Sequence, residues 1–235
     1  MLYGNIIWYD YWGLLFLIPA LLMALIARAV LKSTYSKYSK ISSSTGLTGF
    51  TAARKILDEA GLYNVPIERI SGELTDHFDP KANVLRLSDG VFDSGSVAAI
   101  GVAAHECGHA MQYAENYAPM KLRGSLVKST NFSSTFSFII VFLGLLFGIV
   151  ELAWIGVILF GVVVLFQLVT LPVEFNASAR AVKVLGGYMP PEEKKGVEKV
   201  LSAAAMTYVA ALAGAILQLL RLILLVSGSG RGSRR

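Results

Sequence analysis

One cysteine, Cys107, and three histidines, His77, His105 and His109, are all that 235 residues offer of two of the most versatile metal-binding side chains. A lone cysteine excludes an internal disulfide, and with it the disulfide-stapled scaffolds of small secreted domains; it suits a reducing compartment. Charge is scarce too: 16% of residues are charged and 54% are hydrophobic. An ordinary soluble domain carries roughly 25% charged residues, so that class is excluded. No internal repeat is visible, which removes solenoids and propellers.

The apolar surplus lies in long runs. Tyr11–Leu31 has one charge, Arg28, and Phe136–Val150 and Leu152–Val173 are separated only by Glu151. A fourth run, Leu201–Val226, carries Arg221. A bilayer core needs about 20 apolar residues as a helix. The first, third and fourth runs reach that length, and the second does if it begins near Asn131. The fold class expected is therefore mainly α and integral to a membrane, with three or four transmembrane helices. No basic segment precedes the first run, which favours a retained anchor over a cleaved signal.

Lysine and arginine beside the spans give an orientation. None precedes the first span, whereas Arg28, Lys32, Lys37 and Lys40 lie at its end or follow it. The N-terminus is thus expected outside and residues 32–130 in the cytoplasm. Both ends of the central hairpin are basic and agree with that orientation. A full crossing by the fourth run would leave "GSGRGSRR" outside, against the rule, so whether it spans stays open. The net charge of +5 is explained by residues that set topology and meet anionic lipid, with no nucleic acid required. The expected segments are an anchor (1–31), a small α+β insert (32–130), a transmembrane hairpin (131–173), a cytoplasmic helix (174–200), a membrane helix (201–226) and a flexible tail (227–235).

Within the insert, residues 36–46 look like a linker. A helical period follows at Phe50, Ala53, Ile56, Leu57 and Ala60, with Thr48 as N-cap and Gly61 as stop. Turn formers at Ser71-Gly72 and Asp79-Pro80 then bracket two or three short strands. A second helix is expected over Val97–Tyr113, capped by Ser94 or Ser96.

That second helix carries His105-Glu106-Cys107-Gly108-His109. Residues four apart on a helix lie about 40° apart, so both imidazoles can turn to one cation at roughly 2.0–2.1 Å. Glu106 sits beside that face, placed to take a proton from a water that zinc has acidified toward a pKa of about 7. Cys107 points away, and Gly108 leaves room for a close neighbour. A chance match on a solvated helix is the bland alternative, but the apolar "VAAIGVAA" before the motif argues for burial, where His and Glu are costly unless paired or metal-bound.

A catalytic zinc needs a third protein ligand. No histidine follows His109, so a carboxylate must serve. Glu115 shares the helix but points elsewhere, Glu151 is at the far end of the hairpin, and Glu192, Glu193 and Glu198 form a polar cluster that reads as a solvated helix start. Glu174 follows the third span directly, among small residues. A carboxylate at the membrane edge is expensive alone; the alternatives are a zinc ligand or an ion pair with Arg180 or a lysine.

The segments "LTDHFDPKANVLRLS", "AAHECGHAMQ", "LPVEFNASARA" and "AAAMTYVAA", spread over residues 74–210, resemble the membrane zinc metallopeptidases of the gluzincin kind, including the HtpX proteases, and most of all the YugP-type neutral zinc metallopeptidases of bacterial membranes. The resemblance implies a zincin-like insert holding one Zn2+ on His105, His109 and Glu174, with Glu106 as general base. It implies that Val84, Leu85, Arg86 and Leu87 form the edge strand that grips an extended peptide. The HtpX-like pattern continues Glu-x-x-Ala-Asp, with the Asp orienting a ligand histidine. Ser178 stands there in this chain, and Asn176 is a further candidate for that role. His77, Tyr208 and Arg180 are candidates to stabilise the oxyanion; His77 lies between Asp76 and Asp79, which would favour its charged form.

The function expected is endoproteolysis of membrane or membrane-proximal proteins at the cytoplasmic bilayer surface of a bacterial cell membrane, in protein quality control. The partners would be peptide substrates and lipid, with a membrane-protein partner or homo-oligomer left open. The rivals are a catalytically silent zinc-stabilised adaptor and a site-2-type intramembrane protease.

Overall fold

The computed structural model describes the backbone of residues 2–232 and the side chains of residues 13–229. Of the expected flexible tail, the last three residues lie outside the described ones; the helix that precedes them continues to Gly232. In chain order the elements are α1 (Leu2–Tyr38), α2 (Gly49–Glu59), β1 (Ile67–Ile70), β2 (His77–Asp79), β3 (Val84–Ser88), α3 (Asp89–Phe92), α4 (Val97–Ala114), α5 (Ala118–Leu146), α6 (Val150–Leu185) and α7 (Pro191–Gly232). Among the described residues four helices, α1, α5, α6 and α7, are long and apolar enough to cross a membrane. The exposed Leu14, Leu15, Ile18, Leu21, Leu22, Leu25 and Ile26 of α1 suit hydrocarbon and not water.

These helices ignore the boundaries drawn from hydropathy. The divisions expected at 130/131, 173/174 and 200/201 fall inside α5, α6 and α7. Backbone hydrogen bonding does not stop where side chains become polar, so each span runs on as helix.

The chain forms two compact units: residues 1–27, 122–170 and 207–235, and residues 28–121 and 171–206. In the first, α5 turns into α6 at Gly148, whose φ of +70° favours a residue without a Cβ. The turn therefore precedes Glu151, which lies in the first turn of α6, where a carboxylate meets the positive end of the helix dipole. Val141, Ala153, Val157 and Phe160 fill the space between these helices with Leu222 and Val226 of α7.

The second unit is the α+β part. Thr48 caps α2 through a reciprocal pair with Thr51, and the apolar stripe Ala52, Ala53, Ile56 and Leu57 is buried in a core shared with α4. The sheet is mixed, with order β1-β3-β2: β3 pairs parallel with β1 and antiparallel with β2. This corrects the expected edge strand. Val84, Leu85, Arg86 and Leu87 lie in the central strand, hydrogen-bonded on both sides, and Val84, Leu85, Leu87 and Ser88 are buried. A short strand buried on both faces loses the alternation that marks an edge. The two edges of the sheet are β1 and β2.

The serine-rich segment is no slack linker. Helix α1 continues to Tyr38; Val97 N then donates to Ile41 O at 2.9 Å and Ser43 N to Gly95 O at 2.8 Å. Ser43 Oγ and Ser44 N donate to the Glu193 carboxylate at 2.6 and 2.9 Å, so Glu193 is a partner of this segment and not simply solvated. Together these bonds brace the entry to α4, which Ser96 caps.

Helix α4 is the hub of the unit, buried from Val97 to Gln112 with few gaps. It meets α6 backbone to backbone: a Cβ on Gly108 would lie 2.6 Å from Ala177 O. Replacing Gly108 with Ala should therefore force α4 and α6 apart, at a cost of about 1–3 kcal/mol. A lowered Tm of the detergent-solubilised protein, with weakened zinc retention, is the expected outcome; unchanged values would mean that the contact is soft.

Candidate metal centre

The helical spacing of His105 and His109 does what the sequence suggests. Their rings lie 4.8 Å apart, edge to face, and both turn Nε2 toward one carboxylate on α6. Glu174 Oε2 is 3.4 Å from His105 Nε2 and 3.5 Å from His109 Nε2. Three ligand atoms on a tetrahedral zinc with bonds of roughly 2.0–2.1 Å stand about 3.4 Å apart. The two measured separations match that edge, and two imidazoles with one carboxylate are a donor set that leaves a fourth position open. The residues present fit zinc. Glu174 is 2% exposed, and both histidines stand against its carboxylate.

Glu106 adjoins the cluster, with its Oε2 accepting the Phe78 N–H of β2 at 3.1 Å. Burial pushes its carboxyl up from the ordinary range, and His105 and His109 pull it partly back. Burial opposes the charged form of His109, but the Glu174 and Glu106 carboxylates, with Gln112, together outweigh it and raise the imidazole. Cys107 faces away: its Sγ donates weakly to Ala53 O at 3.6 Å, and burial pushes the thiol up. It is no ligand.

Behind the cluster, the outer nitrogens of both imidazoles are held. With Nε2 as the ligand atom, Nδ1 carries the proton and donates. His105 Nδ1 meets Ser178 Oγ at 3.1 Å, so the hydroxyl occupies the position expected of it. His109 Nδ1 meets Gln112 Oε1 at 3.0 Å. Gln112 is fully buried, and its amide donates to Val173 O at 2.8 Å and Asn176 Oδ1 at 2.9 Å. Sequence reasoning missed Gln112, although it lies three residues beyond His109, the spacing of neighbours on a helix. Asn176 therefore contributes through Gln112. Its Oδ1 also accepts from Arg180 Nε at 2.8 Å.

The oxyanion candidates are placed differently. Arg180 grips Glu115 through two bonds of 2.7 Å, which holds the Glu115 carboxyl below its usual range. The His77 ring engages Thr75 O at 2.8 Å and Arg86 Nη1 at 3.4 Å. Its acidic neighbours are committed elsewhere: Asp79 to Arg86, Lys81 N and Ala82 N, and Asp76 to Ser88. Tyr208 lies half-buried on α7, in the first unit.

Residues 13–227 match the family described as "Putative neutral zinc metallopeptidase". The chain is also similar to "Putative membrane protease YugP" of Bacillus subtilis (strain 168), with 45% identity over 210 residues, covering 88% of this chain and 93% of that one. No solved structure matches it. The chain belongs to this zinc metallopeptidase family, and its four apolar helices agree with a membrane protein.

Removing an outer hydrogen bond to a ligand histidine typically costs 10–100-fold in metal affinity. Ser178→Ala and Gln112→Ala should each weaken zinc by about that factor, read by competition with a chromophoric chelator. Glu174→Ala should lose the metal outright; full zinc stoichiometry in that variant would reassign the third ligand.

Proposed function

We propose that this member of the family is a zinc-dependent endopeptidase of the membrane, cleaving membrane or membrane-proximal proteins at the cytoplasmic surface. The observation that carries this is the convergence of His105, His109 and Glu174 with an intact Glu106 beside them. The basic residues that flank the spans support the cytoplasmic placement.

His105, His109 and Glu174 would hold the ion. Zinc there supplies Lewis acidity, polarising a peptide carbonyl and making water nucleophilic near neutral pH. The chain's own residues do the rest. Glu106 takes a proton from the attacking water on a carboxylate oxygen and returns it to the leaving amine. Burial favours its protonated form, the form in which it hands the proton on. Ser178 and Gln112 fix ring orientation, so that Nε2 of both histidines stays aimed at one point.

The peptide would lie along β2. Of the two edge strands, β2 is the one that meets Glu106: its Phe78 N–H points to that carboxylate rather than into the ladder. A peptide adding as a further strand gains main-chain hydrogen bonds with little demand on side chains, which suits substrates recognised by exposed, unfolded backbone and supports a quality-control role.

Two rivals lose ground on specific observations. A structural zinc site has no use for Glu106 on the metal-facing side of α4. A site-2-type protease needs its HExxH within a membrane span, and α4 is not among the four helices of that kind. Glu106→Gln should abolish cleavage of an unfolded fluorogenic protein, by a factor of at least 10² from the lost proton transfer, while zinc content and Tm stay at wild-type levels. Residual turnover near wild type would sink the mechanism. Absence of turnover in the zinc-loaded wild type, together with no substrates enriched in cells carrying the Gln variant, would favour the silent adaptor.

A further inference from the structure

A groove of about 760 Å³ lies between the C-terminal part of α1 and the N-terminal part of α7, both within the second unit. Its size is within the range of roughly 300–1,000 Å³ typical of small-molecule sites. From α1 it is lined by Val30, Ser33, Thr34 and Lys37, a spacing of three and four that places them on one helix face. From α7 come Lys195, Lys199, Ser202 and Met206, again one face.

The two helices meet with their charged ends together. A Cβ on Gly196 would lie 2.8 Å from the Tyr38 ring, so Lys37 stands level with the start of α7. Moving away from that crossing, α1 passes from Lys37 through Thr34 and Ser33 to Val30. In parallel, α7 passes from Lys195 and Lys199 through Ser202 to Ala203 and Met206. The groove is thus cationic at one end, hydroxyl-lined in the middle and apolar at the other. Val30 and Met206 are about half exposed.

The charges do not cancel internally. Glu198 is the single acid lining the groove, and it stands 3.9 Å from Lys194 outside it. Lys195 pairs with Glu192 at 2.9 Å, but both side chains are exposed at 63% and 83%, and such a pair is weak and exchangeable. With Glu192 counted beside Glu198, three lysines stand against two carboxylates, which leaves the mouth positive by one.

We infer that this groove binds an anionic phospholipid, its phosphate between Lys37, Lys195 and Lys199, its glycerol oxygens against Ser33, Thr34 and Ser202, and its acyl chains leaving past Val30 and Met206. The polarity gradient matches a lipid along its length, where an inorganic anion would use only the cationic end and a peptide would need paired backbone groups. Both lining helices are of membrane-spanning length and apolarity, and basic pockets between such helices are where anionic headgroups settle. The lipid would wedge α1 against α7 just before α1 gives way to the segment that braces α4, a role independent of whether the metal centre hydrolyses peptides.

The test uses the full-length protein in detergent, with native mass spectrometry after addition of phosphatidylglycerol or phosphatidylcholine. Phosphatidylglycerol should be retained in preference. Each basic side chain near an anionic lipid contributes about fivefold, so the Lys37→Gln/Lys199→Gln double variant should lose roughly 30-fold of that retention with zinc content unchanged. Ser202→Trp, which fills an exposed wall of the groove without changing charge, should lose it as well. Equal retention of the two lipids, or undiminished retention in both variants, would overturn the assignment. Displacement by sn-glycerol 3-phosphate at matched concentration would point to free phosphates, and a dimer abolished by the variants while lipid retention persists would make the groove a contact between copies.

Discussion

Glu174 carries a carboxylate that is 2% exposed, and a charge so placed is severely destabilising unless it is met by opposite charge or a metal. Much of the second unit is arranged around that requirement. The carboxylate comes from α6 and its partners from α4, elements about seventy residues apart in sequence, so the two helices must touch closely enough for three side chains to share a point. Gly108 against Ala177 O is what allows it. Ser178 and Gln112 then link the imidazoles back to α6, so the same contact that brings the ligands together also orients them. Packing and coordination are one constraint here: loosening the helix pair would spoil the site before any ligand were altered.

How much of this could be read in the chain depends on the range of the interaction. His105, Glu106 and His109 share one helix, and their arrangement follows from the helical period. Thr48 and Ser96 as caps are likewise local, and both hold. Glu174 was reached by exclusion, because few acids remain after the motif and only one adjoins small residues at the end of a span. What failed is non-local. Nothing within Val84–Leu87 says which strands flank it, so a central strand was taken for an edge. The serine-rich segment has the composition of a linker, and only its pairing with residues 95–97 and with Glu193 shows otherwise. Hydropathy marks where a helix is apolar, not where it ends, which is why three expected boundaries lie inside helices.

Gln112 is instructive for a different reason. Its position after His109 was visible, but an amide on a helix next to a motif has many possible uses. Burial decides among them. A fully buried amide must satisfy its donors and its acceptor, and Gln112 does so with His109, Val173 and Asn176. Asn176 passes the connection to Arg180, and Arg180 to Glu115 at the C-cap of α4. The chain of contacts leaves α4 at Gln112, crosses to α6 and returns to α4 at Glu115. Arg180 thus joins the two helices beyond the metal centre.

The replacement of the expected acid by Ser178 bears on the charge of the site. Two neutral imidazoles and one carboxylate would leave a bound divalent ion with a net positive charge of one. An Asp behind a ligand histidine would draw that toward neutrality and make the imidazole more basic, strengthening the hold on the metal. A hydroxyl and an amide accept the Nδ1 protons without adding charge, so the site keeps its positive character. An ion bound there would be held less tightly than with an Asp behind the ring, which places a heavier burden on rigidity. That burden falls on the Gly108–Ala177 contact and on the braces at both ends of α4: Ser43 on Gly95 and Val97 on Ile41 at its start, and Arg180 on Glu115 at its end. Where a charged residue is missing from the second layer, preorganisation of the helix pair takes over its work.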